Sequence, residues 1–201
     1  MTLSKLFEKY GHVEVFAVED GILKEHYGNN WNNLSHEEIE RTLQEIGEFL
    51  PRYRAELDKS YRQIIPYCVI MCEDKIFTTQ RLKGDERLVG KYSIGIGGHI
   101  EKVDAQGDAI IRDALHRELD EEVDIDSNIE DIEILGHICI DDSSVDSVHY
   151  GLAYRITLDG FDVKVKETDT LEGSWQTRDE LMALKDNLED WSVYCLENFI
   201  E

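Results

Sequence analysis

Apolar and polar positions change period several times along the chain, and each change predicts an element. His12–Asp20 alternates, with Val13, Val15 and Ala17 on one side and Glu14, Phe16 and Val18 on the other, as in a strand. Glu19-Asp20-Gly21 then reads as a turn into Ile22–His26, so a hairpin is predicted. Gly28–Asn33 reads as a loop. Ser35-x-x-Glu38 has capping-box spacing, and Ile39, Leu43, Ile46 and Leu50 follow at helical intervals until Pro51 stops the helix. After Pro66, Tyr67–Cys72 is continuously apolar, as a buried strand should be. Glu73-Asp74-Lys75 turns it into a second strand, Ile76–Leu82, followed by a charged loop to Gly90. Tyr92–Ile96 is short and β-like. Glycines then gather at Gly95-Ile96-Gly97-Gly98, and a polar loop leads to Gly107. Asp108–Val123 is helical in pattern. Strands Ile132–Ile140 and Val148–Leu158 flank an acidic loop, Asp141–Ser147. Helices Thr177–Leu184 and Leu188–Phe199 follow, the second burying Leu188, Trp191, Cys195 and Phe199. This order of strands and helices predicts an α/β fold, a mixed sheet covered on both faces.

Composition narrows the class. Of 201 residues, 41% are apolar, enough for one sizeable core and one domain. The 44 acidic and 21 basic side chains leave a formal charge of −23. That charge argues against a chain that grips nucleic acid by its phosphates. A small phosphate-bearing ligand is still allowed, because a bound metal inverts the local field. No run approaches the ~20 apolar residues of a membrane-spanning helix, so no membrane partner is expected. The start, Met1–Glu8, lacks the apolar centre of a secretory signal. Cys68, Cys72, Cys139 and Cys195 show no CxxC pairing and read as small core residues of a reduced, cytoplasmic protein. Asp141–Asp146 fails as a calcium loop: it lacks the glycine at the sixth position, and Leu152 stands where a bidentate glutamate is needed.

The candidate chemistry lies in Arg117-Glu118-Leu119-Asp120-Glu121-Glu122. On a helix, Glu118, Glu121 and Glu122 share one stripe at i, i+3 and i+4, beside an apolar stripe of Leu115, Leu119 and Val123. Such like charges cost a few tenths of a kcal/mol per pair in a bare helix, a penalty that a cation reverses. Read alone, three acids in an acidic chain are equally a solvated face. A hard carboxylate set without a Cys/His cage suits Mg²⁺ or Mn²⁺. Just before the helix, Gly97-Gly98-His99-Ile100-Glu101 lets backbone groups approach a ligand.

Together these residues resemble the signature of the Nudix hydrolases. Gly98 matches the opening glycine of the box, Arg117-Glu118-Leu119-x-Glu121-Glu122 its core, and Ile125 its last apolar position. Glu101 fits the entry GG-x-x-E, and Trp175 followed by Asp179-Glu180-Leu181 looks like the family's W…EL passage. Two features depart from the pattern. The loop after Glu101 is longer, leaving Asp108 one place out of register and Ala109 at the in-register site. Asp124 also replaces the late glycine. The resemblance covers roughly residues 64–200 and implies a Nudix-type α/β/α sandwich with a mixed sheet. Residues 1–60 form an N-terminal extension of that single domain, which could add strands, close a pocket or make a homodimer contact.

The resemblance also implies metal-dependent hydrolysis of a phosphoanhydride bond in a nucleoside diphosphate linked to another moiety. Glu118, Glu121, Glu122 and the Gly98 carbonyl would hold Mg²⁺ or Mn²⁺. Glu118 or a loop acid, Glu172 or Glu167, would act as base. Arg117, on another side of the helix, would pair with a nearby carboxylate and so hold the ligand helix in place; its plainer reading is an i,i+4 surface pair with Glu121. Arg81, Glu101 and His149 are the candidates on the substrate side, with Lys83 beside Arg81. The partner would be a small nucleotide or other diphosphate. A rival reading keeps the fold as a ligand-sensing or interaction module without turnover. Isopentenyl diphosphate isomerase chemistry, found on the same fold, needs a poised cysteine that no motif here supplies.

Overall fold

A computed structural model describes residues 3–27, 34–83, 89–140 and 146–201. The loop expected over Gly28–Asn33, most of that at 82–90 and most of the acidic loop before Asp146 lie outside the described residues. In chain order the elements are α1 (Leu3–Tyr10), β1 (Glu14–Glu19), α2 (Asp20–Tyr27), α3 (His36–Ile46), β2 (Gly47–Pro51), α4 (Arg52–Ala55) and β3 (Tyr61–Cys72). Then come β4 (Lys75–Arg81), β5 (Tyr92–Ser93), β6 (Gly95–Gly97), α5 (Ile110–Glu122), β7 (Val123–Ile125) and β8 (Ile129–Ile138). The chain ends with β9 (His149–Leu158), β10 (Val163–Val165), β11 (Leu171–Thr177), α6 (Arg178–Ala183) and α7 (Asp190–Asn198). Two compact units result: Met1–Pro66 with Gly98–Ala114 and Cys139–Gly151, and Tyr67–Gly97 with Leu115–Ile138 and Leu152–Glu201.

In the first unit, β1 is the central strand. It pairs antiparallel with β2, Val15 facing Leu50 and Phe16 facing Phe49, and with the start of β3, Val18 facing Arg62. Val15, Phe16, Ala17 and Val18 are all buried, so this strand is covered on both faces rather than alternating. Gly47, paired with Val18, is needed beside the Phe16 ring, because a Cβ there would sit 2.2 Å from it. The capping box forms as the sequence predicts: Ser35 Oγ accepts from the Glu38 amide, and the Glu38 carboxylate accepts from the Ser35 amide at 2.8 Å. Ile39 and Leu43 are buried on α3, and the Arg112 Nε donates to the buried Glu40 carboxylate at 2.8 Å.

Two expectations fail in this unit. The predicted strand at Ile22–His26 is part of α2: Asp20 opens the helix, Lys24 bonds it one turn later at 2.5 Å, and only Leu23 goes into the core. A short segment with few apolar residues fits either period, and the i,i+4 pair decides for the helix. Leu50 is likewise not on α3, which stops at Ile46; pairing with β1 takes Gly47–Pro51 into β2.

The second unit has the larger core, in which Val69, Ile76, Ile94, Ile138, Leu181, Leu188, Cys195 and Leu196 pack together. Here β3 pairs antiparallel with β6 and β4, and β4 with β11 along its whole length, from Leu171 opposite Arg81 to Thr177 opposite Lys75. The turn between β3 and β4 is tight enough to hold Glu73 at φ 52, on the left-handed side. Tyr67 Oη lies 3.1 Å from Ser192 Oγ and 3.3 Å from Ser93 Oγ, while Ser192 Oγ also accepts from the Ile94 amide. These bonds satisfy a buried hydroxyl and tie α7 to the core. Trp191 and Phe199 are half-buried, packed against the core rather than inside it. Cys68, Cys72 and Cys195 are buried as expected, but Cys139, past the end of β8, is exposed. The Trp175 Nε1 donates to the Phe161 carbonyl at 2.9 Å, with its ring against Phe77 and Phe161. Glu180 caps α6 through Thr177 and Leu181 is fully buried, so the W…EL passage is a packing device.

Candidate active site on the glutamate helix

The last two turns of α5 carry the acids. Leu115 and Leu119 anchor the helix in the second unit, followed by Val123 as the chain passes straight into β7. The neighbouring stripe then carries Glu118 and Glu122, both half-buried, and Glu121, whose side chain is 60% exposed. Lys166 closes the helix end. Its amide donates to the Glu122 carbonyl at 2.9 Å, and its ammonium bonds the Asp120 carbonyl and lies 3.3 Å from Asp124 Oδ1. A cation on the final carbonyls satisfies acceptors a helix leaves open and complements its dipole. Asp124 sits in β7 facing Lys164 of β10. The exit is therefore an extended strand, which needs no glycine.

Arg117 turns toward its own stripe. Its Nη1 donates to Glu118 Oε1 at 2.7 Å and reaches Glu121 Oε1 at 3.4 Å, so it bridges two of the stripe's own carboxylates. Glu122 shows the strain of the arrangement. Burial first, then the charge of Glu118, pushes its carboxyl up to about 7; Arg81 opposes this, while Glu167 and Glu121 add to it. Glu189, at the entry to α7, is raised by burial too, with Arg81 and Lys91 opposing. Arg81, at the end of β4, thus stands among acids, and its Nε is buried with no hydrogen-bond partner among the described residues. Crowded carboxylates that hold on to protons are a donor set suited to a hard divalent cation. A buried guanidinium N–H suits an anionic oxygen.

The structure thus gathers Arg81, Arg117, Glu118, Glu121 and Glu122 in the second unit. Glu172 is on β11 opposite Gln80 and exposed, while Glu167 is one of the charges that raise Glu122. The Glu167 Oε2 accepts from Thr170 Oγ1 at 2.9 Å. Gly98, Glu101 and His149 belong to the first unit. Glu101 and Asp104 cap a short 3₁₀ turn reciprocally, the Glu101 amide donating to Asp104 Oδ2 at 2.8 Å. That turn takes up part of the lengthened loop. Asp108 is exposed, and its carbonyl accepts from Gln44 Nε2 at 2.8 Å. The buried His149 has its Nε2 3.2 Å from that of His99. Sequence reasoning missed Glu189 and His99, since each gains its surroundings from segments distant in the chain.

Residues 62–199 match the family model of the NUDIX domain. The chain belongs to the Nudix family. It is 37% identical over 153 residues to the protein YmaB of Bacillus subtilis (strain 168), covering 71% of this chain and 73% of that one. The crystal structure of Tm1382, a Nudix hydrolase by assignment, superposes with a TM-score of 0.74 at 28% identity, over 92% of this chain and 96% of that one. The Nudix domain of Shewanella oneidensis NrtR, solved with ADP ribose, has a TM-score of 0.52 at 14% identity, covering 68% and 85%. The fold is therefore the expected Nudix α/β/α sandwich, and membership supports a function of the pyrophosphohydrolase type. No helix among the described residues is long and apolar enough to cross a membrane.

Proposed function

We propose that this Nudix protein is a Mg²⁺- or Mn²⁺-dependent hydrolase that cleaves the phosphoanhydride of a nucleoside diphosphate linked to another moiety. The supporting observation is the meeting of half-buried, like-charged carboxylates with a buried Arg81 Nε that has no hydrogen-bond partner among the described residues. Glu118, Glu121 and Glu122 would hold the metal. A divalent ion so held supplies neutralising charge for phosphoryl oxygens and acidifies bound water. Arg117 fixes Glu118 and Glu121 in one arrangement through its shared Nη1. Arg81 offers its Nε to a phosphate oxygen of the substrate, and Glu167 takes the proton of the attacking water. In the net reaction a water oxygen bonds to phosphorus, the bridging P–O bond breaks, and the leaving phosphate carries the electron pair away.

The ADP ribose bound by the NrtR domain belongs to the proposed substrate class and gives the first compound to test. Phosphate or nucleoside monophosphate release from nucleotide sugars and dinucleoside polyphosphates, with Mg²⁺ or Mn²⁺, tests the reading. Turnover that falls at least ~100-fold in Glu118→Gln is the expected result. Mn²⁺ binding without turnover of any compound would instead support the ligand-sensing module.

A further inference from the structure

The first unit holds a second set of metal-ligating side chains that shares no residue with the glutamate helix. Glu56, His99 and His149 each present one ligand atom, and the three atoms lie within 4.8 Å of one another. They come from three separate parts of the chain: the residue just after α4, the segment after β6, and the first residue of β9. All three belong to the same compact unit.

Bonds at or near each ligand fix the segment that carries it. The Glu56 amide donates to the Arg52 carbonyl at 3.0 Å, and Arg52 Nε reaches Glu56 Oε1 at 3.3 Å while its guanidinium stacks over Tyr10. The carbonyl of Ile100, next to His99, accepts from the Phe16 amide at 2.9 Å, and Glu101 bridges to Val15. Ahead of His149, the carbonyl of Asp146 accepts from the buried Arg62 at 3.1 Å. His149 is itself buried, and Glu56 and His99 are half-buried. Ligands positioned before the ion arrives are what a metal site requires.

We infer that Glu56, His99 and His149 form a zinc site. Two imidazoles with one carboxylate is a donor set that takes zinc, with a fourth position left for water. The two Nε2 atoms are 3.2 Å apart. Two ligands on one tetrahedral zinc, each about 2.0–2.1 Å from it, lie about 3.3 Å apart. A hydrogen bond between the two rings also spans this distance, but it gives Glu56 no role. A bound zinc ion occupies all three groups and cross-links α4, the segment after β6 and the start of β9. The borderline, nitrogen-rich donors set this site apart in preference from the all-oxygen glutamate stripe, so millimolar Mg²⁺ does not compete for it.

The test uses the full chain, stripped with chelator and kept in excess Mg²⁺. Titration with Zn²⁺ against a chromophoric competitor is expected to show one tightly held ion. His99→Gln and His149→Gln should each weaken it at least ~100-fold, while Glu121→Gln leaves it in place. Circular dichroism checks that the variants are folded. Should a histidine variant fail to fold, Co²⁺ bound to the wild-type chain reports directly: intense visible d–d absorption marks a four-coordinate nitrogen-bearing site. Wild-type Zn²⁺ affinity in both folded histidine variants overturns the inference. So does a wild-type Co²⁺ spectrum with only the weak bands of six-coordinate, oxygen-bound ion. None of these readouts depends on turnover, so failure here leaves the proposed hydrolase standing, and the reverse also holds.

Discussion

Replacing Glu122 by glutamine isolates what the crowded carboxylates cost the metal-free fold. Burial, with the Glu118 charge next, raises this carboxyl from its ordinary 4.5 to about 7. Between those two values the folded protein binds the proton more tightly than the unfolded chain does. Metal-free stability therefore falls as pH rises through that window, and the loss is complete above about pH 7. At about 1.4 kcal/mol per pH unit, the ionised group costs the apo fold on the order of 3 kcal/mol. Glutamine approximates the protonated acid in shape and charge. In chelator, Glu122→Gln should match the wild type near pH ~4.5 and exceed it by roughly 3 kcal/mol near pH ~8. Urea unfolding of both proteins across that range measures the difference, and other carboxylates cancel in the comparison. Saturating Mg²⁺ should narrow the gap near pH ~8, because only the wild type offers the ion this charge. The same variant is expected to lose turnover at least ~100-fold. A gap that does not change with pH, or a metal-free wild type more stable than the variant near pH ~8, would refute the reasoning.

Glu167→Gln should lower kcat by ~100-fold or more while Glu172→Gln changes it little; the reverse order would return the base to β11. Gly95→Ala places a Cβ 2.1 Å from the Tyr67 ring, which is already held by Ser93 and Ser192. A loss of about 1–3 kcal/mol or more is expected from denaturant midpoints, and unchanged stability would show that the ring can yield. Burial raises the Asp20 carboxyl, but hydrogen bonds from Lys24 and Arg62 outweigh it, leaving the group below its ordinary 3.8. That contribution is fully present above the unfolded value and is lost as pH falls through the lower folded one. Asp20→Asn should then cost about 1–3 kcal/mol at neutral pH, with the difference from wild type closing in acid below pH ~4.

Local signals carried as far as local chemistry reaches. The α3 cap was legible because Ser35 and Glu38 satisfy each other within one turn. The acid stripe on α5 was legible because helical spacing alone aligns Glu118 with Glu121 and Glu122. Segment type failed where two periods fit equally, at α2, and where a partner strand overrode local preference, at β2. Cys139 misled because apolar character does not say where a strand ends. At the site, the sequence named the acids and Arg81 and offered Arg117 its i,i+4 pair with Glu121, but not the shorter bond to Glu118.

The amino-acid order by itself determined the family and the carboxylate stripe, because both depend on neighbours within one helix and its preceding turn. Only the tertiary structure decided which charges face one another. It set Arg81 and Glu167 against Glu122, left Glu172 exposed, and drew Glu56, His99 and His149 together from separate segments. Electrostatic and coordinating interactions act through space, and no spacing along the chain encodes distances that are fixed by how strands pair and a core packs.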